Sequence, residues 1–136
     1  MPMDFTILIS PQAKARPRFF ARGKFRGTYT PTKTREYENH LLVKSLPYKP
    51  STPLTSALKV TLSFGMPIPK SFSKKKRLEA ISGELAHTSK PDLDNLIKCL
   101  DFLNGTFIED DKQIISLSAE KHYAETPSIR IQILEV

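Results

Sequence analysis

The sequence predicts an α+β fold: one small domain in which a mixed β-sheet is packed by helices. Leu58-Lys59-Val60-Thr61-Leu62-Ser63-Phe64 alternates with period two, placing Leu58, Val60, Leu62 and Phe64 on one face of a strand. Leu93, Leu96, Ile97, Leu100 and Leu103 recur at helical spacing instead and mark a buried helical stripe. Strand-like and helix-like stretches are interspersed without an internal repeat, and no linker composition divides the 136 residues. Residues 1–136 are therefore read as a single domain with a core of its own.

Taken in order, Phe5-Thr6-Ile7-Leu8-Ile9 is rich in β-branched residues and stops before Pro11, which gives a strand over 4–10. Residues 14–26 carry six basic side chains (Lys14, Arg16, Arg18, Arg22, Lys24 and Arg26), no acidic one and three phenylalanines. Gly23, between two aromatic-containing runs, predicts a hairpin tip. Such a ribbon suits a polyanion, its cations gripping phosphates while the rings stack or pack. For the phenylalanines a place in the core is favoured over stacking; for the cations as a group, contact with DNA is favoured.

Thr30 and Pro31 supply a cap and an early proline for a helix over 32–46, closed by Pro47. Residues 47–57 are rich in Pro, Ser and Thr and read as a stiff loop. Residues 67–72 break the strand begun at Leu58, and Ser73 caps a short helix over 74–81 that stops near Gly83. Lys74, Lys75, Lys76 and Arg77 crowd its first turn against the helix dipole. An anionic partner and a solvated helix face are both open readings there. The helix through 93–103 stops at Asn104-Gly105. Residues 114–121 and 128–133 read as strands, and Thr126-Pro127 points to a hairpin between them.

Composition narrows the function classes. Lys and Arg number 21 against 14 Asp and Glu, a net charge of +7 that favours a polyanionic partner. A single cysteine, Cys99, excludes an intrachain disulfide framework and a Cys-rich zinc site, and its place beside the apolar stripe puts it in the core. His40, His87 and His122 are scattered and match no zinc pattern. No apolar run is long enough to cross a membrane and the N-terminus lacks signal-peptide character, so a cytoplasmic protein with no membrane partner is expected. Phosphate-loop, dinucleotide and serine-hydrolase motifs are absent, so no nucleotide cofactor is expected.

Within this basic chain, acidic residues cluster at Asp92, Asp94, Asp101 and again at Glu109-Asp110-Asp111. Asp94, Lys98 and Asp101 share the polar face of the predicted helix. Asp92 lies two residues before Asp94, about 200° away on a helix of roughly 3.6 residues per turn. The two carboxylates therefore converge only if Asp92 stands in the non-helical lead-in, a break that Pro91 favours by disfavouring helix at Lys90. Carboxylates gathered in this way repel one another unless a cation sits among them. Mg²⁺, with Mn²⁺ as a substitute, suits oxygen ligands and can support phosphodiester hydrolysis, while Lys98 could meet the phosphate. Taken singly, each group has a plainer reading: an i, i+4 helix pair for Asp94 and Lys98, helix-terminal compensation for Asp92, a solvated turn for Asp110 and Asp111.

Asp92-Leu93-Asp94-Asn95-Leu96-Ile97-Lys98, then Asp101, Asn104-Gly105 and Asp110-Asp111-Lys112-Gln113-Ile114, resemble the RusA family of phage and bacterial Holliday junction resolvases. Lys14-Ala15-Arg16-Pro17-Arg18 and Tyr29-Thr30-Pro31 extend the similarity to the form found in phages of Gram-positive bacteria. The resemblance implies a small α+β homodimer that nicks four-way DNA junctions symmetrically with Mg²⁺ or Mn²⁺. It places the catalytic set at Asp92, Asp94, Lys98 and Asp111, with Asp92, Asp94 and Asp111 as metal ligands and Asp101 in support. DNA contacts are expected from Lys14, Arg16, Arg18, Arg22, Lys24, Arg26, Lys74, Lys75 and Lys76. The alternatives are a broader nuclease for flaps and forks, and a non-catalytic protein that binds branched DNA.

Overall fold

The computed structural model describes residues 3–14, 18–23, 25–29 and 32–136, with the backbone alone at 18–20, 22, 25 and 29. Along the chain run β1 (Met3–Ile7), β2 (Arg18–Arg22), β3 (Phe25–Tyr29), α1 (Thr32–Ser45), β4 (Leu58–Pro67), α2 (Lys74–Ser82), α3 (Leu93–Ile97), β5 (Ile114–Ala124) and β6 (Ser128–Glu135). Four of the strands make one mixed sheet in the order β1-β6-β4-β5, while β2 and β3 pair with each other as a separate antiparallel ribbon. Gly23 sits at the ribbon's tip with φ of 56°, a left-handed turn conformation that glycine adopts at little cost. The α+β class and the basic hairpin are thus as expected. The cap and proline expected at Thr30 and Pro31 lie outside the described residues.

Register shows why one face of the sheet is covered. Phe5, Ile131, Leu62 and Ala119 form one row across all four strands, and Ile7, Ile129, Phe64 and Lys121 form the next. Apart from Ala119 and Lys121 on the edge strand, these side chains are buried, and α1, α3 and residues 98–108 close over them. The opposite phase carries Thr6, Arg130, Gln132, Lys59, Thr61, Ser116 and Ser118, which keep that face polar. Alternation in the sequence thus becomes a one-sided core, as period two requires when one face is solvated.

Two expectations need correction. The strands at 114–124 and 128–135 do not form a hairpin, because β4 lies between them, parallel to β5 and antiparallel to β6. The residues that flank the link at 125–127, Ala124 and Ser128, instead lie close against β4 at Gly65. A Cβ there would stand 3.0 Å from the Ala124 Cβ and 3.2 Å from the Ser128 Oγ. The second correction concerns the long helix at 93–103. It is α-helical only over Leu93–Ile97 and tightens to a 3₁₀ helix over Lys98–Leu103. With roughly three residues per turn, Lys98 and Asp101 fall one above the other on the outside. Cys99 and Leu100 between them, and Phe102 and Leu103 after Asp101, are all buried.

Gly65→Ala should destabilise the protein by about 1–3 kcal/mol, since the new methyl presses on the link between β5 and β6. Urea unfolding checks this: a lower midpoint with an unchanged slope is expected.

Candidate active site

The segment that carries the acidic motif is fixed from both sides. Below it, Leu96, Leu100 and Leu103 insert into the core with Phe107 and Ile108. Above it, the Lys14 backbone N–H reaches the Asn95 carbonyl at 3.4 Å, and the Gln12 N–H meets the Tyr37 hydroxyl of α1 at 3.2 Å. Burial pushes the Tyr37 phenol well above its ordinary pKa.

Asp92 precedes α3 in extended conformation (φ −67°, ψ 144°), outside the helix as convergence with Asp94 requires. Its carbonyl accepts from the N–H groups of Asn95 at 3.1 Å and Leu96 at 3.2 Å, which starts the helix. The approach to Asp92 is held by Lys121, which occupies an inward position of β5. Its Nζ donates to the Ser89 carbonyl at 2.6 Å and the Pro91 carbonyl at 2.9 Å. Lys121 was not among the residues expected at the site. The phase Leu117, Ala119, Lys121, Tyr123, a lysine in an inward-facing series, is the signal that could have found it.

The carboxylates of Asp92 and Asp94 are exposed and have no partner among the described residues. Lys98 donates to Asn95 Oδ1 at 3.0 Å, so the plain helix pair with Asp94 is not formed. Asp101 is taken up by Lys14 at 2.6 Å, and Lys14 also approaches Glu38 at 3.4 Å. The Asp101 and Glu38 carboxylates raise the Lys14 pKa against a desolvation that opposes it. Lys14, expected on DNA, here ties the N-terminal segment to α1 and to the 3₁₀ helix.

The second acidic cluster divides its labour. Asp110 caps the turn Asp111–Gln113: its Oδ1 accepts from the Lys112 N–H at 2.9 Å, while Gln113 Oε1 accepts from the Asp110 N–H at 2.9 Å. This reciprocal box satisfies both backbone donors. Gln113 Nε2 then donates to the carbonyls of Leu54 and Ser56, both at 2.9 Å, anchoring the turn to the loop before β4. Asp111 is left exposed. A hydrogen bond shared with Asp110, together with the charges of Asp110 and Asp101, holds the Asp111 carboxyl above its ordinary pKa. Asp110 is held below its own, chiefly by the Lys112 N–H.

Hard oxygen donors are thus available for a divalent cation at Asp92, Asp94 and Asp111, and the donor chemistry fits Mg²⁺ or Mn²⁺. Among the described residues no three Asp, Glu, His or Cys side chains are gathered closely enough to enclose an ion. Of the expected DNA contacts, Lys74, Lys75 and Lys76 are exposed on α2, whose Ser73 cap accepts from the Lys76 N–H at 3.2 Å. Arg26 is exposed on β3. Arg18 and Arg22 fall on β2, and Arg16 and Lys24 lie outside the described residues.

A family profile described as endodeoxyribonuclease RusA matches residues 9–134 of this chain. The chain belongs to the RusA family. It is also 33% identical over 137 residues to the Bacillus subtilis (strain 168) protein named "Uncharacterized protein YqaN", covering 98% of this chain and 96% of that one. The RusA assignment makes it an endodeoxyribonuclease of a family that acts on branched DNA. No described helix is long and apolar enough to cross a membrane.

Five residues before Asp92, the buried ring of His87 packs on Tyr123 at 4.7 Å. Desolvation, aided by the Lys121 charge, lowers its pKa from the ordinary 6.5. A lowered folded value means that this stability is present above pH 6.5 and is lost as pH falls through the folded value. His87→Gln should therefore flatten the loss of stability on the acid side of pH 6.5, measured by urea unfolding across pH.

Proposed function

We propose that this protein hydrolyses phosphodiester bonds at four-way DNA junctions by paired symmetric nicks, acting as a homodimer with Mg²⁺ or Mn²⁺. The observation that carries the reading is the pair of exposed carboxylates of Asp92 and Asp94, without a partner among the described residues, at the start of a core-anchored helix in a RusA-family chain. In a protein of net charge +7, two such groups left without cations among the described residues favour an occupant that is not the protein itself.

Asp92, Asp94 and Asp111 would hold the ion. When bound, it supplies charge relief at the phosphate and a more acidic water. The chain's own groups do the positioning. Lys121 fixes the carbonyls of Ser89 and Pro91 and so sets where Asp92 stands. Lys98, hydrogen-bonded through Asn95, presents its ammonium one turn from Asp94 for a phosphate oxygen. Asp110 and Gln113 hold the turn that carries Asp111. The exposed lysines of α2 and the basic ribbon supply contacts to the flanking backbone. A two-fold dimer offers two equivalent sites to the two strands of a symmetric junction.

The test is cleavage of a mobile synthetic four-way junction in Mg²⁺, beside a linear duplex and a flap. Paired nicks confined to the junction are expected, with Asp94→Asn lowering the rate by about a hundredfold or more while junction binding is retained. Similar rates on flap or duplex would make the enzyme a broader branched-DNA nuclease. Binding without cleavage in either metal would leave a DNA-binding protein.

The acidic turn adds a pH signature. Asp111 must lose its proton to act as a ligand, and Asp110 raises the pH at which it does so. Asp110→Asn keeps an oxygen for the cap and removes that charge. The Asp111 carboxyl of the metal-free protein should therefore titrate at lower pH in the variant, read by NMR of its side chain, and an unmoved titration would mean that Asp110 does not hold its proton.

A further inference from the structure

A cavity of about 310 Å³ opens beside the lead-in to Asp92, walled by Met66, Pro67, Phe72, His87, Lys90 and Tyr123. We infer that this cavity seats one unstacked nucleobase of the DNA strand that is cut. The inference rests on the reading of the protein as a nuclease for branched DNA and names a contact that would position the strand.

The walls have the right chemistry for a planar heterocycle. Phe72 meets Tyr123 edge to face with ring centroids 5.6 Å apart, and His87 leans on Tyr123 at 4.7 Å. Bases stack on such rings with little regard to sequence, because every base has a π-face. The volume lies at the small end of ligand cavities, suited to one ring system and too small for a length of folded peptide.

Polar groups share the wall: Ser89 and Lys90 line the cavity, and the edge of a nucleobase offers both donors and acceptors. Cations stand at the cavity and on the helix next to Phe72. Lys76 Nζ lies 4.2 Å above the Phe72 ring, Lys74 and Lys75 share its helical turn, and Lys90 lines the mouth. Among the described residues no acidic one lines the cavity. Phosphates on either side of a seated base would meet these cations.

Location joins the cavity to the chemistry. Ser89, Lys90 and Pro91 form part of its wall and lead directly into Asp92, and Lys121 clamps that stretch. A base held here brings its neighbouring phosphate towards the carboxylates. At a branch point, stacking is already interrupted, so removing a base from its stack costs least there.

The probe is a four-way junction carrying 2-aminopurine at each position flanking the cut in turn, bound without divalent metal so that no cleavage intervenes. Wild-type protein should raise the fluorescence several-fold at one position, and Phe72→Ala should abolish the rise. Phe72 is half-buried and lies outside the main core, so this variant folds, which circular dichroism checks. Phe72→Ala should also weaken binding about tenfold on the intact junction and hardly at all when that position is abasic. A rise that survives in Phe72→Ala, or an equal loss on the abasic junction, overturns the inference. Cleavage with no fluorescence change at any position overturns the pocket alone. A pocket-dependent rise with no cleavage in Mg²⁺ or Mn²⁺ supports the pocket and removes the nuclease reading. Failure to bind the junction overturns both.

Discussion

Everything that concerns the site depends on how residues 93–108 cover the sheet. Leu96, Leu100, Leu103, Phe107 and Ile108 are buried against β1, β4 and β6, each large apolar side chain contributing about 1.5–3 kcal/mol relative to exposure. The polar contacts above them are half-exposed and individually worth about 1 kcal/mol or less. Lys14 with Asp101 and Lys98 with Asn95 therefore refine the placement of a segment that apolar burial has already fixed. The acidic motif is rigid because its reverse side is the core.

That anchoring makes the electrostatics possible. A core-bound helix and a doubly stapled turn hold the backbone that bears these exposed carboxylates. Asp110 and Asp111 share a hydrogen bond, Asp101 adds its charge, and the Asp111 proton is held more tightly as a result. The basic character of the rest of the chain sits elsewhere, on α2 and on the ribbon of β2 and β3. This segregation leaves the exposed cations of α2 and the ribbon apart from the carboxylates of Asp92, Asp94 and Asp111.

The lead-in from His87 to Asp92 connects the two. It runs over the covered end of β5, where Lys121 and Tyr123 face inward, one clamping the backbone and the other forming an aromatic wall. A strand written with a lysine in its inward phase has to find that lysine polar partners, and the carbonyls of Ser89 and Pro91 serve. The same contact that satisfies the buried stem of Lys121 sets the position of Asp92. Stability and site geometry are here one interaction.

Local pattern alone determined the α+β class, the face β4 turns inward, the basic ribbon and the acidic motif, because periodicity and residue type act within a few residues. The match of Asp92-Leu93-Asp94-Asn95-Leu96-Ile97-Lys98 to its family was likewise legible. Even the 3₁₀ helix was written there: Lys98, Asp101 and Asn104 recur every third residue with apolar pairs between, a period hidden when 3.6 is the template. Neighbouring strands were not legible. Alternation assigns faces, and only packing could place β4 between β5 and β6, with Gly65 making room for the link. Nor could sequence divide Asp110 from Asp111, pair Lys14 with Asp101, or bring Phe72, His87 and Tyr123 around one cavity. Those contacts join residues far apart in the chain, and the tertiary fold alone decides which of them meet.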